Sequence, residues 1–211
     1  MSRKSAQLTL GLASLALVML AGEPARQACA ETSGPEHAMR SEKHGAPKLT
    51  GAQKIALAMS AGPAAIAKNA AIVDMTDMSS AQHAQLRAGT NGWVCYAMIG
   101  EPMCLDKEWQ KWFEAWTSKS EVRFEKTGIG YMLRGDRGAG NTDPYATGPT
   151  ADNQWVIAPP HLMVLFPDPK LLEAYSTDPG SGGPWVMWKG TPYAHLMVPV
   201  SPTKAAEMRP K

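Results

Sequence analysis

From Ile129 onward the chain offers only short apolar runs, Ile129–Leu133, Trp155–Ile157, His161–Phe166, Trp185–Trp188 and His195–Val200, separated by loops rich in glycine and proline. Runs of this length bounded by turn residues read as strands. Pro159, Pro160, Pro167, Pro192 and Pro199 sit in or beside them, which limits their length and favours edges or bends. Upstream lies one strongly amphipathic segment: Leu105, Trp109, Trp112, Phe113 and Trp116 recur at helical spacing, with Asp106, Lys107, Glu108, Gln110, Lys111 and Glu114 between them. Leu49–Asn69 is rich in alanine and broken at Gly62-Pro63, which predicts two short helices. Ala71–Met75 and Gln85–Ala88 read as strands, and the Asn91-Gly92 turn signal predicts a hairpin leading into Trp93–Tyr96. With helices grouped early and strands late, the expected fold is α+β: N-terminal helices and the aromatic helix packed on a mainly antiparallel sheet.

The first thirty residues give an address. Arg3 and Lys4 precede an apolar run from Leu8 to Leu20, and Ala28-Cys29-Ala30 places small residues for cleavage before Glu31. That run is short of the roughly 20 residues a membrane span needs. A signal peptide over 1–30 is therefore expected, then a polar leader over 31–48, a single domain over 49–200 and a polar tail over 201–211. The mature protein is expected to be soluble and periplasmic or secreted, with no membrane association after cleavage. Three of the 21 basic and one of the 19 acidic side chains fall in those first thirty residues, leaving a body of balanced charge. That balance argues against a nucleic-acid partner.

Cleavage removes Cys29 and leaves Cys95 and Cys104 in an oxidising compartment, where a disulfide between them is expected. Their spacing does not fit the Cys-x-x-Cys of a redox or metal pair.

Several segments together, Gly89-Thr90-Asn91-Gly92-Trp93, Pro102-Met103-Cys104-Leu105-Asp106, Gly130-Tyr131-Met132-Leu133, Asn141-Thr142-Asp143-Pro144 and Gly190 through Val200, resemble a family of exported proteobacterial proteins without an assigned activity. The resemblance covers roughly Ser60 to Val200. It implies an exported single domain and no particular chemistry.

The most suggestive pattern is a repeated tetrapeptide, His161-Leu162-Met163-Val164 and His195-Leu196-Met197-Val198. On strands, period-2 geometry puts His161 with Met163 on one face and His195 with Met197 on one face. In neighbouring strands these imidazoles and thioethers would converge, a donor set suited to copper and above all Cu(I). The competing reading makes the methionines core fillers and each histidine a strand cap. Trp155, Trp185 and Trp188 are candidates for an aromatic ligand platform. Trp109, Trp112, Trp116 and Trp93 have core explanations. The Arg134–Pro144 loop carries oxygen donors at Asp136, Asn141 and Asp143 that an irregular calcium site could use, although turn chemistry explains them too. His37 and His44 in the leader are weak metal ligands at most.

No nucleophile motif stands out: Ser181 lacks the preceding glycine of a nucleophile elbow, and Ser201-Pro202-Thr203-Lys204 lies in a proline-broken tail. A hydrolase using His161 or His195 with Asp74, Asp143 or Asp178 is chemically possible. The reading that covers most of the chain is an exported binding or accessory protein, its partner a small ligand, a metal or a protein. Copper binding and a small extracytoplasmic hydrolase are the alternatives.

Overall fold

A computed structural model describes residues 48–201 and 206–208, which belong to one compact unit, Ala46–Lys211. The expected signal peptide and nearly all of the leader, His37 and His44 included, lie outside the described residues. Helix α1 (Gly51–Met59) opens on a reciprocal cap: Thr50 Oγ1 accepts the Gln53 amide and Gln53 Oε1 accepts the Thr50 amide. Pro63 then separates it from α2 (Ala64–Ala67), as the Gly62-Pro63 break predicts. Strands β1 (Ala71–Asp74), β2 (Gln85–Arg87), β3 (Val94–Ala97) and β4 (Met103–Leu105) lead into α3 (Lys107–Thr117). Strands β5 (Gly128–Met132), β6 (Ala139–Gly140), β7 (Trp155–Ile157), β8 (His161–Leu165), β9 (Trp185–Met187), β10 (His195–Pro199) and β11 (Glu207–Met208) complete the order.

Eight of these strands form one sheet in the order β2-β1-β3-β4-β5-β8-β10-β9, antiparallel except at β1–β3, and β11-β7-β6 form a small second sheet. The fold is α+β. Alternation along the strands gives the large sheet two apolar faces. Ile72, Cys95, Ala97 and Cys104 pack with Ala58 and Ala61 from α1 and the turn after it. Leu105, Met132, Met163, Leu165 and Met197 pack with Trp109, Trp112 and Phe113 of α3. On this second face α3 approaches β5 closely because Gly130 has no side chain. A Cβ there would stand 2.9 Å from Met163 Cε and 3.4 Å from Trp109 Cδ2. The helix is held by Asp106, whose Oδ1 accepts the Trp109 amide at 2.9 Å and whose Oδ2 accepts the Ile129 amide at 2.6 Å. One carboxylate thus caps α3 and fastens it to β5.

Cys95 and Cys104 stand directly opposite each other on β3 and β4 and are disulfide-bonded. The hairpin expected at Asn91-Gly92 is not formed. Strand β1 lies between β2 and β3 and pairs in parallel with β3, so the turn carries the chain across the start of β1. Local side chains enforce that crossing: Arg87 Nη2 donates to Ala67 O and Ala70 O, and Asn91 Nδ2 donates to Ile66 O. Three short strands were not foreseen. They are β4, β6 inside the glycine-rich loop, and β11, whose Glu207 and Met208 lie within the expected tail and pair with Ile157 and Val156.

Candidate functional site

Between α3 and the sheet lies a cavity of about 240 Å³. Its walls come from elements far apart in sequence: Trp109, Trp112, Phe113 and Trp116 from α3, His161 and Met163 from β8, His195 and Met197 from β10, and Met187 with Trp188 from the end of β9. Met132 of β5, Met103 of β4 and Met98 after β3 add to it, with Met78 at an exposed position, so seven of the chain's 13 methionines line one space. The loop after β5 closes the remaining side with Asp136, Gly138 and Asp143, and Glu101 lies alongside.

The two His-Leu-Met-Val segments are neighbouring antiparallel strands, with Met163 opposite Met197 and His161 opposite Pro199. His195 instead pairs with Met187 on β9. The register places the two thioethers directly opposite each other and the two imidazoles at opposite ends of the paired stretch, and both histidines line the same cavity.

Each imidazole has the same tether. His161 Nδ1 lies 2.6 Å from Pro159 O and His195 Nδ1 lies 3.0 Å from Tyr193 O. A carbonyl only accepts, so each Nδ1 carries the hydrogen and each Nε2 presents a bare lone pair. Burial pushes both pKa values down from 6.5 to about 4, and for His195 the proximity of His161 adds to this, so both rings are neutral at pH 7. Trp109, Trp112 and Trp188 enclose His195 edge-on at ring separations of 5.1–5.4 Å. His161 Nε2 is buried with no hydrogen-bond partner, and so is Trp112 Nε1. These are the two buried side-chain polar atoms left unpaired among the described residues, and both residues line the cavity.

At the His161 end, Asp136 Oδ1 accepts the amides of Ala158 and Gly138. Burial raises its pKa from 3.8 to about 7, against those two bonds, and the charge of Glu101 adds to the rise. Burial likewise raises the Glu101 carboxyl, with Arg137 at 3.5 Å pulling the other way.

The aromatic residues take different places from those expected. Trp185 is fully buried and donates to Asn141 Oδ1, while Trp155 lies over Gly138; neither lines the cavity. Trp188 follows β9 in a left-handed conformation at φ 58°, which turns it back onto the same face, where its Nε1 donates to Gly140 O. Of the three platform candidates, Trp188 alone lines the cavity. Trp109, Trp112 and Trp116, assigned to the core, are both core and cavity wall.

The chain matches no family model, no curated protein and no solved structure.

The other constellations do not assemble. Asn141 is buried and bonded to Gln154 Oε1, Thr177 O and Trp185, while Asp143 accepts the Tyr145 amide, so the oxygen donors of the glycine-rich loop hold its own fold. Among the described residues no group of three or more His, Cys, Asp or Glu side chains is placed to hold a metal ion. Asp74 is engaged by Lys54 and Thr76, and Asp178 caps the short 3₁₀ turn Pro179–Ser181, so neither orients a cavity histidine.

Proposed function

We propose that this is an exported binding protein that takes up a small ligand into the cavity between α3 and the sheet. One observation carries the reading: the two unpaired buried polar atoms among the described residues, an acceptor on His161 and a donor on Trp112, belong to side chains lining the same cavity. Each such atom costs about 1–3 kcal/mol when left without a partner, so a bound molecule or ion that engages them recovers that energy. The wall itself is apolar, supplied by indole rings and thioethers that adapt to an occupant. At about 240 Å³ the space limits the ligand to a small one. The tethers of His161 and His195 to backbone carbonyls, in place of carboxylates, favour binding over histidine-based hydrolysis.

The export part of the reading rests on the Arg3–Ala30 pattern and on the Cys95–Cys104 disulfide, which is compatible with an oxidising compartment. Among the described residues no helix is long and apolar enough to cross a membrane.

The test is titration with an uncharged, polarity-sensitive dye, N-phenylnaphthylamine, followed by dye emission and tryptophan fluorescence. The expected result is saturable binding of one dye per chain, lost in Ala146→Phe, which places a ring at a half-buried position on the wall. Binding unaffected by that substitution, or none at all, overturns this reading.

A further inference from the structure

Resting on the binding reading above, we infer that the ligand is monovalent copper, held by His161 Nε2 and by thioethers drawn from Met132, Met163 and Met197. Four independent features point to a soft cation. Thioether sulfur is a poor ligand for hard ions and a good one for Cu(I), and methionines are concentrated in this one space. Met132 stands directly across from His161 on β5, Met163 lies two residues along β8 on the same face, and Met197 is the cross-strand partner of Met163. The His161 ring is set as metal-bound imidazoles usually are, its Nδ1–H tied to a carbonyl and its Nε2 free and buried.

Charge agrees. Among the described residues no lysine or arginine lines the cavity, whereas Asp136, Asp143 and Glu101 do, Glu101 with Arg137 beside it, so no positive side chain on the walls opposes a cation. Zinc and calcium are poorly served, because three nitrogen, thiolate or carboxylate donors do not gather among the described residues. His195 is left out of the set: it stands four positions along β10 from Pro199, the cross-strand partner of His161, and is enclosed edge-on by three indole rings. The ion enters as Cu(I) and leaves as Cu(I), with no change in oxidation state.

The test uses the mature chain, purified without a histidine tag, and titrates it anaerobically with Cu(I) against bicinchoninate. The expected result is one ion retained per chain, with X-ray absorption showing nitrogen and sulfur ligation together. His161→Asn is expected to weaken retention by at least about 100-fold, more than the 10–100-fold that loss of a partner behind a metal ligand brings. The paired substitution Met132→Leu/Met163→Leu conserves volume and apolarity, and is expected to weaken Cu(I) retention comparably while leaving the circular dichroism spectrum unchanged. Replacing His37, His44 and His83 together is expected to change nothing. A wild-type chain that surrenders all copper to bicinchoninate, or retention equal in wild type and both variants, overturns the copper assignment. If the dye still binds in that case, the cavity stands as a site for an organic ligand; if neither binds, the binding reading falls as well.

Discussion

The carboxylate of Asp136 accepts the amide of Ala158 at 2.8 Å, and with the same oxygen the amide of Gly138 at 3.0 Å. One side chain thereby clamps the loop after β5 to the end of β7, at a site where burial penalises its charge. With a folded pKa near 7 against an unfolded value of 3.8, the native state binds this proton more tightly than the unfolded chain does. The stabilising contribution is complete below about pH 4 and is lost as pH rises to about 7. Asp136→Asn keeps an accepting oxygen and removes the titration. Its melting temperature relative to wild type is expected to rise between pH 5 and pH 8, by about 2–4 °C for each kcal/mol recovered. A difference that stays flat with pH contradicts the assignment.

The two histidines act with the opposite sign. Their folded pKa values are lowered to about 4 from 6.5, so the stability they contribute is complete above pH 6.5 and lost as pH falls toward 4. Two imidazoles outnumber one carboxyl over that interval, so the three groups together make the protein less stable as it is acidified. Proton NMR of the imidazole rings, assigned with His161→Gln and His195→Gln, is expected to show both neutral at pH 5.5. A ring that titrates near 6.5 would place it in water.

Reduction of Cys95–Cys104 opens a loop of nine residues' separation. The chain-entropy account gives about 2–3 kcal/mol for a loop of this size. Urea unfolding of Cys95→Ala/Cys104→Ala is expected to show a loss of that order, with the cavity's dye binding preserved because the bond faces α1 on the other side of the sheet.

Gly138 has φ 115°, and a Cβ there would meet Trp155 Nε1 at 2.2 Å. Gly138→Ala is expected to lose about 1–3 kcal/mol of stability through backbone strain and displacement of the indole. Because Gly138 also lines the cavity, the substitution is expected to weaken ligand binding as well as lower the melting temperature.

Elements whose signal is local were legible in the sequence. The spacing of Trp109, Trp112 and Phe113 gives α3, and the alternation in His161–Leu165 and His195–Pro199 gives β8 and β10, including the shared face of each His-x-Met pair. Elements decided by distant partners were not legible. Strand β4 is three residues long and is defined by pairing with β3 and β5, and the parallel pairing of β1 with β3 overrides the hairpin that Asn91-Gly92 favours locally. The same limit applies to the site. Four of its residues stand in the repeated tetrapeptide, but Met98, Met103, Met132, Met187 and Asp136 reach it from other strands and loops. Trp188 reaches it only because one residue adopts a left-handed backbone.

The indoles of Trp112, Trp116 and Trp188 lie within 5–16° of parallel at centroid separations of 5.6–6.1 Å, and the Tyr145 ring is parallel to Trp116 at 6.3 Å. Chromophores this close and this well aligned share their excited states. The contribution of these rings to the protein's near-ultraviolet dichroism is therefore that of the stack as a unit, and an occupant that perturbs one ring alters it. The fold carries its own optical gauge of whether the cavity is filled.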